Sequence, residues 1–560
     1  MDKTAGTPAA RLPVSIRSFS WKRSSRMSPS GQFELVLGLM AAVVVLELAA
    51  HRLRLPPSAV LVVGGIALAL VPGLPDITPD PDLTLLLFLP PLLFASAYFT
   101  VWSDFRANLR IILQLAVGAV AFTTLAVGLV AHLVMPSLPW AACFALGAIL
   151  SPPDAVAAKA VLKGLPLPPR LVTLLEGESL VNDATGIVLF RLAVTAGLTG
   201  SFEAGPAVAE FLRLSIGGVV AGVLFGQGAA MLLGRLRDVS LSIVGTFLAA
   251  WGSYMAGEAL GVSGVLATVG AGIVMGWRQH ALFSALVRTH AHAVWNLVVF
   301  LLESLVFIII GLSLRGVLGR MAEGGTSLPG LLPGIAAIAA TMILARFAWI
   351  FPSTYIPRFL LPGLRRRDPY PSVAVPVIMS WAGMRGVVSL AVALSIPAEF
   401  PGRDVILVTT WAVILVSILV QGTTLAPLVR AVRLGGFALE RRATLSEPEA
   451  RVRMAQAALE AMRKRSRTPD GGERHPRLVE QYGRRAEMAV RFKDSNGSLA
   501  DDRREHFAAV LAANRAARAE ILKLHRSGRI HDSVLHQLEA ELDLEDLTAE
   551  RVLSETEDGV

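Results

Sequence analysis

Long apolar runs recur along the chain up to about residue 436, and short polar stretches separate them. A helix needs about 20 largely apolar residues to cross the hydrocarbon core of a bilayer. The pattern therefore predicts an all-α, polytopic membrane protein with about 13 transmembrane helices. The expected spans lie near residues 32–50, 57–73, 83–101, 110–135, 139–162, 171–198, 206–234, 239–257, 262–277, 293–314, 329–356, 372–397 and 404–432.

Charge divides the chain into two parts. Up to Gly436 it holds 30 Lys/Arg and 20 Asp/Glu, nearly all at the ends of apolar runs, whereas the last 124 residues hold 22 and 23. We assign residues 1–31 to a basic N-terminal extension, 32–436 to the transmembrane domain and 437–560 to a helical cytoplasmic tail. Within the tail, apolar residues at helical spacing predict helices over 506–525 and 532–551, with a turn between them.

The composition excludes several other classes of protein. Of the 560 residues, 53% are hydrophobic, and the mean hydropathy is +0.58, which is typical of a membrane protein. The one cysteine, Cys143, cannot build a disulfide framework or a cysteine metal site, and we expect no bound cofactor. Basic loops that face an anionic cytoplasmic leaflet explain the net charge of +9, so we expect no nucleic-acid partner.

The basic residues of the loops predict the orientation of the chain. One set of alternate loops carries most of them, whereas the other set carries only Arg315, Arg320 and Arg403. Because cytoplasmic loops are enriched in Lys and Arg, we expect a cytoplasmic C-terminus, an outside N-terminus and insertion in the plasma membrane. The basic stretch before Met27 conflicts with an outside N-terminus. We therefore expect either that translation starts at Met27 or that this stretch forms a disordered tail.

Three carboxylates fall inside the sixth predicted span, at Glu176, Glu178 and Asp183. A charge at the centre of a bilayer costs roughly 2.5–3.5 kcal/mol on insertion scales, so a functional use is expected. At about 1.5 Å per residue, Asp183 lies about 18 Å from the start of the span, near the midplane. Ser179 shares a helical face with Asp183, whereas Asn182 shares a different face with Glu178. The spacing therefore predicts two separate roles along one helix.

Two other spans contain residues that interrupt a helix. Pro152 and Pro153 remove backbone donors in the fifth span, directly before Asp154, and leave nearby carbonyls without helical partners. Such an oxygen-rich spot suits a hard cation such as Na⁺, and a membrane tolerates it only beside protein or water. In the twelfth span, two glycines flank Arg385. Interrupted helices that cross in opposite directions are typical of inverted-repeat transporters.

Five segments, taken in order, resemble the sodium/proton exchanger family of monovalent cation/proton antiporters, in its bacterial form. They are "SPPDAVAAKAVL", "EGESLVNDATGIVLF", "YMAGEALGVSGVLATVGAGIVMG", "ESLVFIIIGLSL" and "GMRGVVSLAVAL". The resemblance extends from about the first span to the last. It implies an inverted-repeat antiporter fold with crossed, unwound helices, a homodimer, and exchange of Na⁺, Li⁺ or sometimes K⁺ for H⁺.

The resemblance also implies a set of cation/proton-binding residues. The family's Asn-Asp pair falls on Asn182 and Asp183, and Asp183 becomes the carboxylate that binds a cation and a proton in turn. Ser179 and Asp154 match positions that complete the Na⁺ site directly or through water. Pro153 belongs to the same set, at the break in the fifth span.

Three further predictions concern the surroundings of this site. Glu178 and Arg385 match a structural ion pair that links the two halves of the moving core of the family. Glu303 lies about 15 Å into the tenth span, where it belongs either to a proton path or to an ion pair with Arg346. Many family members carry an acidic residue where this chain has Ala95. One oxygen ligand is therefore missing, and the selectivity between Na⁺ and K⁺ stays open.

The predicted function is secondary active transport, in which Na⁺, and also Li⁺, exchanges for H⁺ by alternating access. A proton and a cation compete for Asp183, and this competition couples the two fluxes. Electrogenic relatives have a second Asp where this chain has Asn182, which implies electroneutral 1:1 exchange.

Two alternatives remain from the sequence. K⁺/H⁺ exchange is the alternative within the transporter class, with Ser96 or a water molecule replacing the ligand missing at Ala95. A cation channel is the alternative from another class. The chain carries neither the Gly-x-Gly-Asp nor the His-Glu-x-x-His motif of intramembrane proteases, so we do not expect an enzyme.

Overall fold

The computed structural model describes residues 29–53, 55–71, 81–154, 158, 161, 162, 165, 167–200, 204–316, 319, 328–397, 399–432, 447–468, 472–494, 500–530 and 532–557. The proposed start at Met27, most of the N-terminal extension and the boundary at residues 436 and 437 lie outside these ranges. The chain divides into two compact units, Met1–Gly435 and Gly436–Val560.

Helices build the described part of the first unit. Among the described residues, eight helical segments are long and apolar enough to cross a membrane, and three more apolar helices are shorter. The polytopic all-α prediction is confirmed, while the number of 13 spans stays a prediction. The helices are α1 (Pro29–Leu53), α2 (Pro57–Ala69), α3 (Pro81–Phe99), α4 (Trp102–Leu113), α5 (Val120–Val134), α6 (Trp140–Leu150), α7 (Pro169–Thr199), α8 (Ala204–Leu233), α9 (Val239–Ala259), α10 (Gly264–Leu282), α11 (Ala285–Leu312), α12 (Leu328–Leu360), α13 (Pro362–Arg367), α14 (Ala374–Trp381), α15 (Val387–Leu394), α16 (Arg403–Val416) and α17 (Gly422–Ala431).

Two apolar clusters in this unit draw on different helices. One packs α5, α6, α7, α12, α15 and α16 together through buried residues such as Leu146 and Ile338. The other packs α3, α8, α9, α10 and α11 together through residues such as Phe94 and Trp295. We call these two sets of helices bundle A and bundle B. A larger cluster contains residues from both, so the bundles share an apolar boundary.

Both predicted helix breaks are present. α6 ends at Leu150, and residues 151–154 are not helical, because the two prolines among them cannot donate backbone hydrogen bonds. α14 ends at Trp381 and α15 begins at Val387, with residues 382–386 between them outside any helix. Each break lies next to helices of bundle A.

A π-helical turn between α16 and α17, Ser417–Gln421, faces the second break. The Oγ atom of Ser417 accepts a hydrogen bond from the backbone N–H of Arg385 at 3.0 Å. The side-chain amide of Gln421 donates to the carbonyl of Trp381, also at 3.0 Å. π turns often occur at functional sites, and this one directs two polar side chains at an unwound segment.

The second unit contains α18 (Glu447–Ser466), α19 (Pro476–Asp494), α20 (Ala500–Arg526) and α21 (Asp532–Glu557). The last two contain both helices predicted for the tail, and Gly528 forms the turn between them with a φ of 70°. Arg518 of α20 contacts Asp543 and Asp546 of α21 at 2.7 and 2.8 Å. α18 and α19 were not predicted from the sequence, because charged residues dominate both and leave only a sparse apolar pattern.

Candidate functional site

Asp183 lies in a small cavity between bundle A and bundle B. The residue is only 7% exposed. Asp154 and Ser179 line the cavity beside it, and Ser96 of α3 and Glu303 of α11 line it from bundle B. We call this space, of about 50 Å³, the narrow cavity. It has room for an ion or a few water molecules, and it brings together the three predicted Na⁺ ligands and Glu303.

Polar side chains from the second broken helix donate hydrogen bonds to carbonyls next to the first break. Ser389 of α15 donates a hydrogen bond to the carbonyl of Ile149 at 2.8 Å, and Arg385 donates to the carbonyl of Leu150. These are the carbonyls that α6 cannot satisfy after its proline break. Their partners come from the opposite broken helix, so the two breaks are bonded to each other.

Asp154 occupies the point where the two breaks meet. Its backbone N–H donates to the carbonyl of Met384 at 2.7 Å. Its carboxylate lies against Gly386, the N-cap of α15, and a Cβ atom on this glycine would overlap an oxygen of Asp154. The N-terminus of a helix favours a negative charge through its exposed N–H groups and dipole. The carboxylate of Asp154 therefore lies against the start of α15 on one side and in the wall of the narrow cavity on the other.

Two predicted site residues lie behind the cavity rather than in its wall. The side-chain amide of Asn182 donates to the carbonyl of Pro153 at 2.6 Å, and both residues are buried. The Oδ1 atom of Asn182 is also buried and has no hydrogen-bond partner among the described residues. This contact fixes the first break to α7, so that Asp183 and Asp154 face the same space.

The buried ion pair joins Glu178 to Arg346 of α12, not to Arg385. The Nη1–Oε1 and Nη2–Oε2 distances are 2.7 and 3.1 Å, and both side chains are 2% exposed. Arg346 also donates to the carbonyl of Met379 at 3.0 Å, in the last turn of α14. The predicted Glu178–Arg385 pair is therefore wrong in its arginine. The alternative pair of Glu303 with Arg346 is wrong as well.

Arg385 does not pair with Glu178 because its guanidinium is hydrogen-bonded to backbone carbonyls. This guanidinium donates to the carbonyls of Leu150 and Gly383, one from each break. An arginine has five N–H donors and serves several acceptors at once. Sequence spacing gives the depth of each arginine in the membrane, but it does not show which one points at Glu178.

The charged groups around the breaks and the narrow cavity do not balance. Glu178, Asp154, Asp183 and Glu303 are four carboxylates, while Arg346 and Arg385 are two guanidiniums. When all six are ionised, the set carries two negative charges in excess. One proton or one monovalent cation in the narrow cavity would reduce this excess by one.

Ala95 and Ser96 take different positions on α3. Ala95 is 3% exposed and packs in the apolar cluster of bundle B. Ser96 lines the narrow cavity, so α3 contributes a hydroxyl-bearing residue to its wall, whereas the methyl group of Ala95 offers no oxygen ligand. Ser389, Ser417 and Gln421 were not predicted from the sequence. Their signal is a single polar residue within an otherwise apolar run.

The family model described as "Sodium/hydrogen exchanger, transmembrane" matches residues 38–431, more than half of the chain. The chain belongs to the sodium/hydrogen exchanger family. The exchanger is thus a multi-pass membrane transporter, as its sequence predicted.

Relatives of the exchanger come from several organisms. An uncharacterized Na⁺/H⁺ exchanger of Mycobacterium tuberculosis is 33% identical over 534 residues, which cover 92% of this chain and 95% of that relative. A sodium, potassium, lithium and rubidium/H⁺ antiporter of Bacillus subtilis is 34% identical over 368 residues, or 62% of this chain and 54% of that relative. The structure of a sodium proton antiporter from Methanocaldococcus jannaschii shares the fold, with a TM-score of 0.55 at 19% identity over 72% of this chain and 99% of that one.

Proposed function

We propose that this protein exchanges Na⁺, and also Li⁺, for H⁺ across the plasma membrane, with Asp183 binding the cation and the proton in turn. The observation that carries the proposal is the narrow cavity, where Asp183, Asp154 and Ser179 converge between the two bundles. All three offer oxygen atoms, the ligands that hard cations prefer.

Competition at one carboxylate couples the two fluxes. An ionised Asp183 binds Na⁺ with help from Asp154 and Ser179, whereas a protonated Asp183 has lost the charge that holds the ion. Because Asp183 belongs to bundle A and part of the cavity wall belongs to bundle B, a shift of one bundle against the other opens the cavity to either side in turn. A site that reorients only when loaded then exchanges one species for the other.

Exchange of one Na⁺ for one H⁺ follows from competition for a single carboxylate. Asp183 binds either one proton or one monovalent cation, and both carry a single positive charge. The loaded site then carries the same charge in both directions of the cycle. A net charge moved across the membrane would feel about 2.3 kcal/mol per 100 mV. The exchange rate should therefore not respond to an imposed membrane potential.

K⁺/H⁺ exchange is the second candidate. It is favoured by Ala95, which offers no oxygen ligand, and by the Bacillus relative, whose name includes potassium and rubidium. Ser96 then supplies the oxygen on α3, as a neutral ligand that holds a small cation less strongly than a carboxylate does.

The further expectations are a homodimer and a cytoplasmic C-terminus, which cross-linking and tail-directed proteolysis on sealed vesicles will test.

Purified protein in liposomes with an internal pH-sensitive dye tests the proposal. Pulses of Na⁺, Li⁺ and K⁺ should each be compared for the proton flux they produce. We expect flux with Na⁺ and Li⁺, and we expect Asp183→Asn to reduce it to the level of empty liposomes, because the asparagine cannot be deprotonated. Glu399→Gln, which neutralises an exposed carboxylate away from the cavity, is the matched control and should keep its flux. Cation-dependent proton flux in Asp183→Asn would refute the proposal.

A further inference from the structure

A second, wider cavity lies between the bundles on the side of Asp183 toward the C-terminal end of α7. It has a volume of about 330 Å³, and we call it the wide cavity. Its walls include Leu89 of α3, Arg191 of α7, Glu258 of α9 and Ser395, which follows α15. Leu89 also lines the narrow cavity, so the two spaces adjoin. Arg191 is two helical turns, or about 12 Å, beyond Asp183 along α7.

An ion pair connects the two bundles in this cavity. Nη2 of Arg191, in bundle A, lies 3.5 Å from Oε2 of Glu258, in bundle B, and the side chains are 49% and 38% exposed. The other oxygen of Glu258 accepts the backbone N–H of Gly264 at 3.2 Å, at the start of α10. The carboxylate thus has a fixed position at a helix N-terminus. A second pair of charged residues, Glu210 and Arg213 on α8, is joined by two hydrogen bonds of 2.8 and 2.7 Å. This pair adds no net charge.

We propose that the Arg191–Glu258 pair sets the electrostatic potential of the wide cavity and thereby the local concentration of cations that reach Asp183. Glu258 attracts cations and Arg191 repels them, so the electrostatic potential in the wide cavity stays near zero. Because the pair is half exposed, its value as a bond is small, while its field acts on every cation that enters. This inference rests on the proposed cation exchange, and it makes the two residues determinants of apparent cation affinity.

A cysteine introduced into the wide cavity reports the electrostatic potential of that cavity, and the measurement does not require transport. Ser395 lines the cavity, and the only native cysteine, Cys143, is buried. Ser395→Cys should be made in the full-length protein, purified in detergent, and treated with a cationic and an anionic methanethiosulfonate reagent of similar size. The ratio of the two reaction rates reports the sign and size of the local potential. The protein without Ser395→Cys gives the background.

The two single variants should move this ratio in opposite directions. Arg191→Gln should raise the cation-to-anion ratio about threefold or more, and Glu258→Gln should lower it by a similar factor, because each leaves one unit charge uncompensated. The double variant should return near the original ratio, and the shifts should shrink as salt shortens the Debye length. Arg237→Gln removes the same charge at the opposite end of α9, where the residue is exposed, and should leave the ratio unchanged.

The same variants in liposomes complete the test. The apparent affinity for Na⁺ should rise roughly two- to threefold in Arg191→Gln and fall by a similar factor in Glu258→Gln. Thiol ratios that move in one direction in both variants, or that match Arg237→Gln, would overturn the inference. So would shifted ratios in an active exchanger whose affinities do not change. Shifted ratios in a protein without any Na⁺-dependent proton flux would support the potential and contradict the proposed function instead.

Discussion

Two buried arginines lie near one buried carboxylate, and only one of them is its partner. Arg346 forms two hydrogen bonds with Glu178, while Arg385 serves the carbonyls of the two breaks. The close approach of Arg346 to the second break needs a residue without a side chain at Gly383, where a Cβ atom would overlap the arginine. The pairing therefore depends on three elements that are far apart in sequence.

Removing one partner of the Glu178–Arg346 ion pair should destabilise the protein more than removing both. We expect Glu178→Gln to lower the free energy of unfolding by about 3–5 kcal/mol, because Arg346 keeps an uncompensated charge in a buried place. The double variant Glu178→Gln/Arg346→Gln should recover part of this loss, while Glu178→Gln/Arg385→Gln should not. Thermal unfolding of the purified variants in one detergent measures the difference. Equal recovery in both double variants would contradict the pairing seen here.

At the scale of elements, the two broken helices are hydrogen-bonded to each other. Each break leaves backbone groups without helical partners, and the partners come from the other broken helix, from the adjacent π turn and, for the carbonyl of Pro153, from Asn182 of α7. A backbone group left unpaired in the membrane costs several kcal/mol, so this exchange of hydrogen bonds is what makes unwound segments tolerable at that depth. The same arrangement leaves the carboxylate of Asp154 at the cavity wall.

A methyl group at Gly386, where the two breaks meet, should disturb the cation site. In Gly386→Ala the new Cβ atom overlaps the carboxylate of Asp154, so the side chain must turn away. We expect the apparent affinity for Na⁺ to fall by roughly tenfold, the equivalent of about 1.4 kcal/mol, from concentration series in liposomes. Gly363→Ala adds the same methyl group in open space and should have no effect. An unchanged affinity in Gly386→Ala would show that Asp154 takes no part in cation binding.

At the scale of the whole transmembrane unit, one carboxylate ties together helix ends on the side where the sequence predicts the cytoplasm. Asp368 contacts Arg170 of α7 at 2.8 Å, Arg358 of α12 at 2.6 Å and Arg110 of α4 at 3.7 Å. Burial by itself raises the pKa of Asp368. The hydrogen bond and charge of Arg170, with the charges of Arg358 and Arg110, outweigh burial and hold the pKa below its ordinary value of 3.8.

This lowered pKa gives a prediction with a definite sign. The ionised form of Asp368 is favoured in the folded state, so its contribution is complete above about pH 4 and is lost as the pH falls through the lower folded pKa. We expect Asp368→Asn to lower the free energy of unfolding by about 1–3 kcal/mol at neutral pH, with a smaller difference from the native protein below pH 4. Unfolding in denaturant across this pH range measures it. Asp404→Asn, at a side chain 54% exposed, is the control, and an equal effect there would refute the role of the cluster.

The sequence by itself determined the class of this protein and the two breaks in its transmembrane helices, and it predicted a depth for Asp183 near the midplane. These features are local, since they follow from the length of an apolar run, the rise of a helix and the missing donors of proline. It also indicated the convergence of Asp183, Asp154 and Ser179, through motifs that resemble a known family.

Only the tertiary structure decided which arginine pairs with Glu178, that Ser96 rather than Ala95 lines the narrow cavity, and that Arg191 and Glu258 meet across the two bundles. The physical reason is that spacing along a helix fixes the depth and relative face of a side chain, but not which neighbouring helix lies opposite. The partner depends on how separate helices pack, and buried polar groups accept whichever partner that packing brings within hydrogen-bond distance.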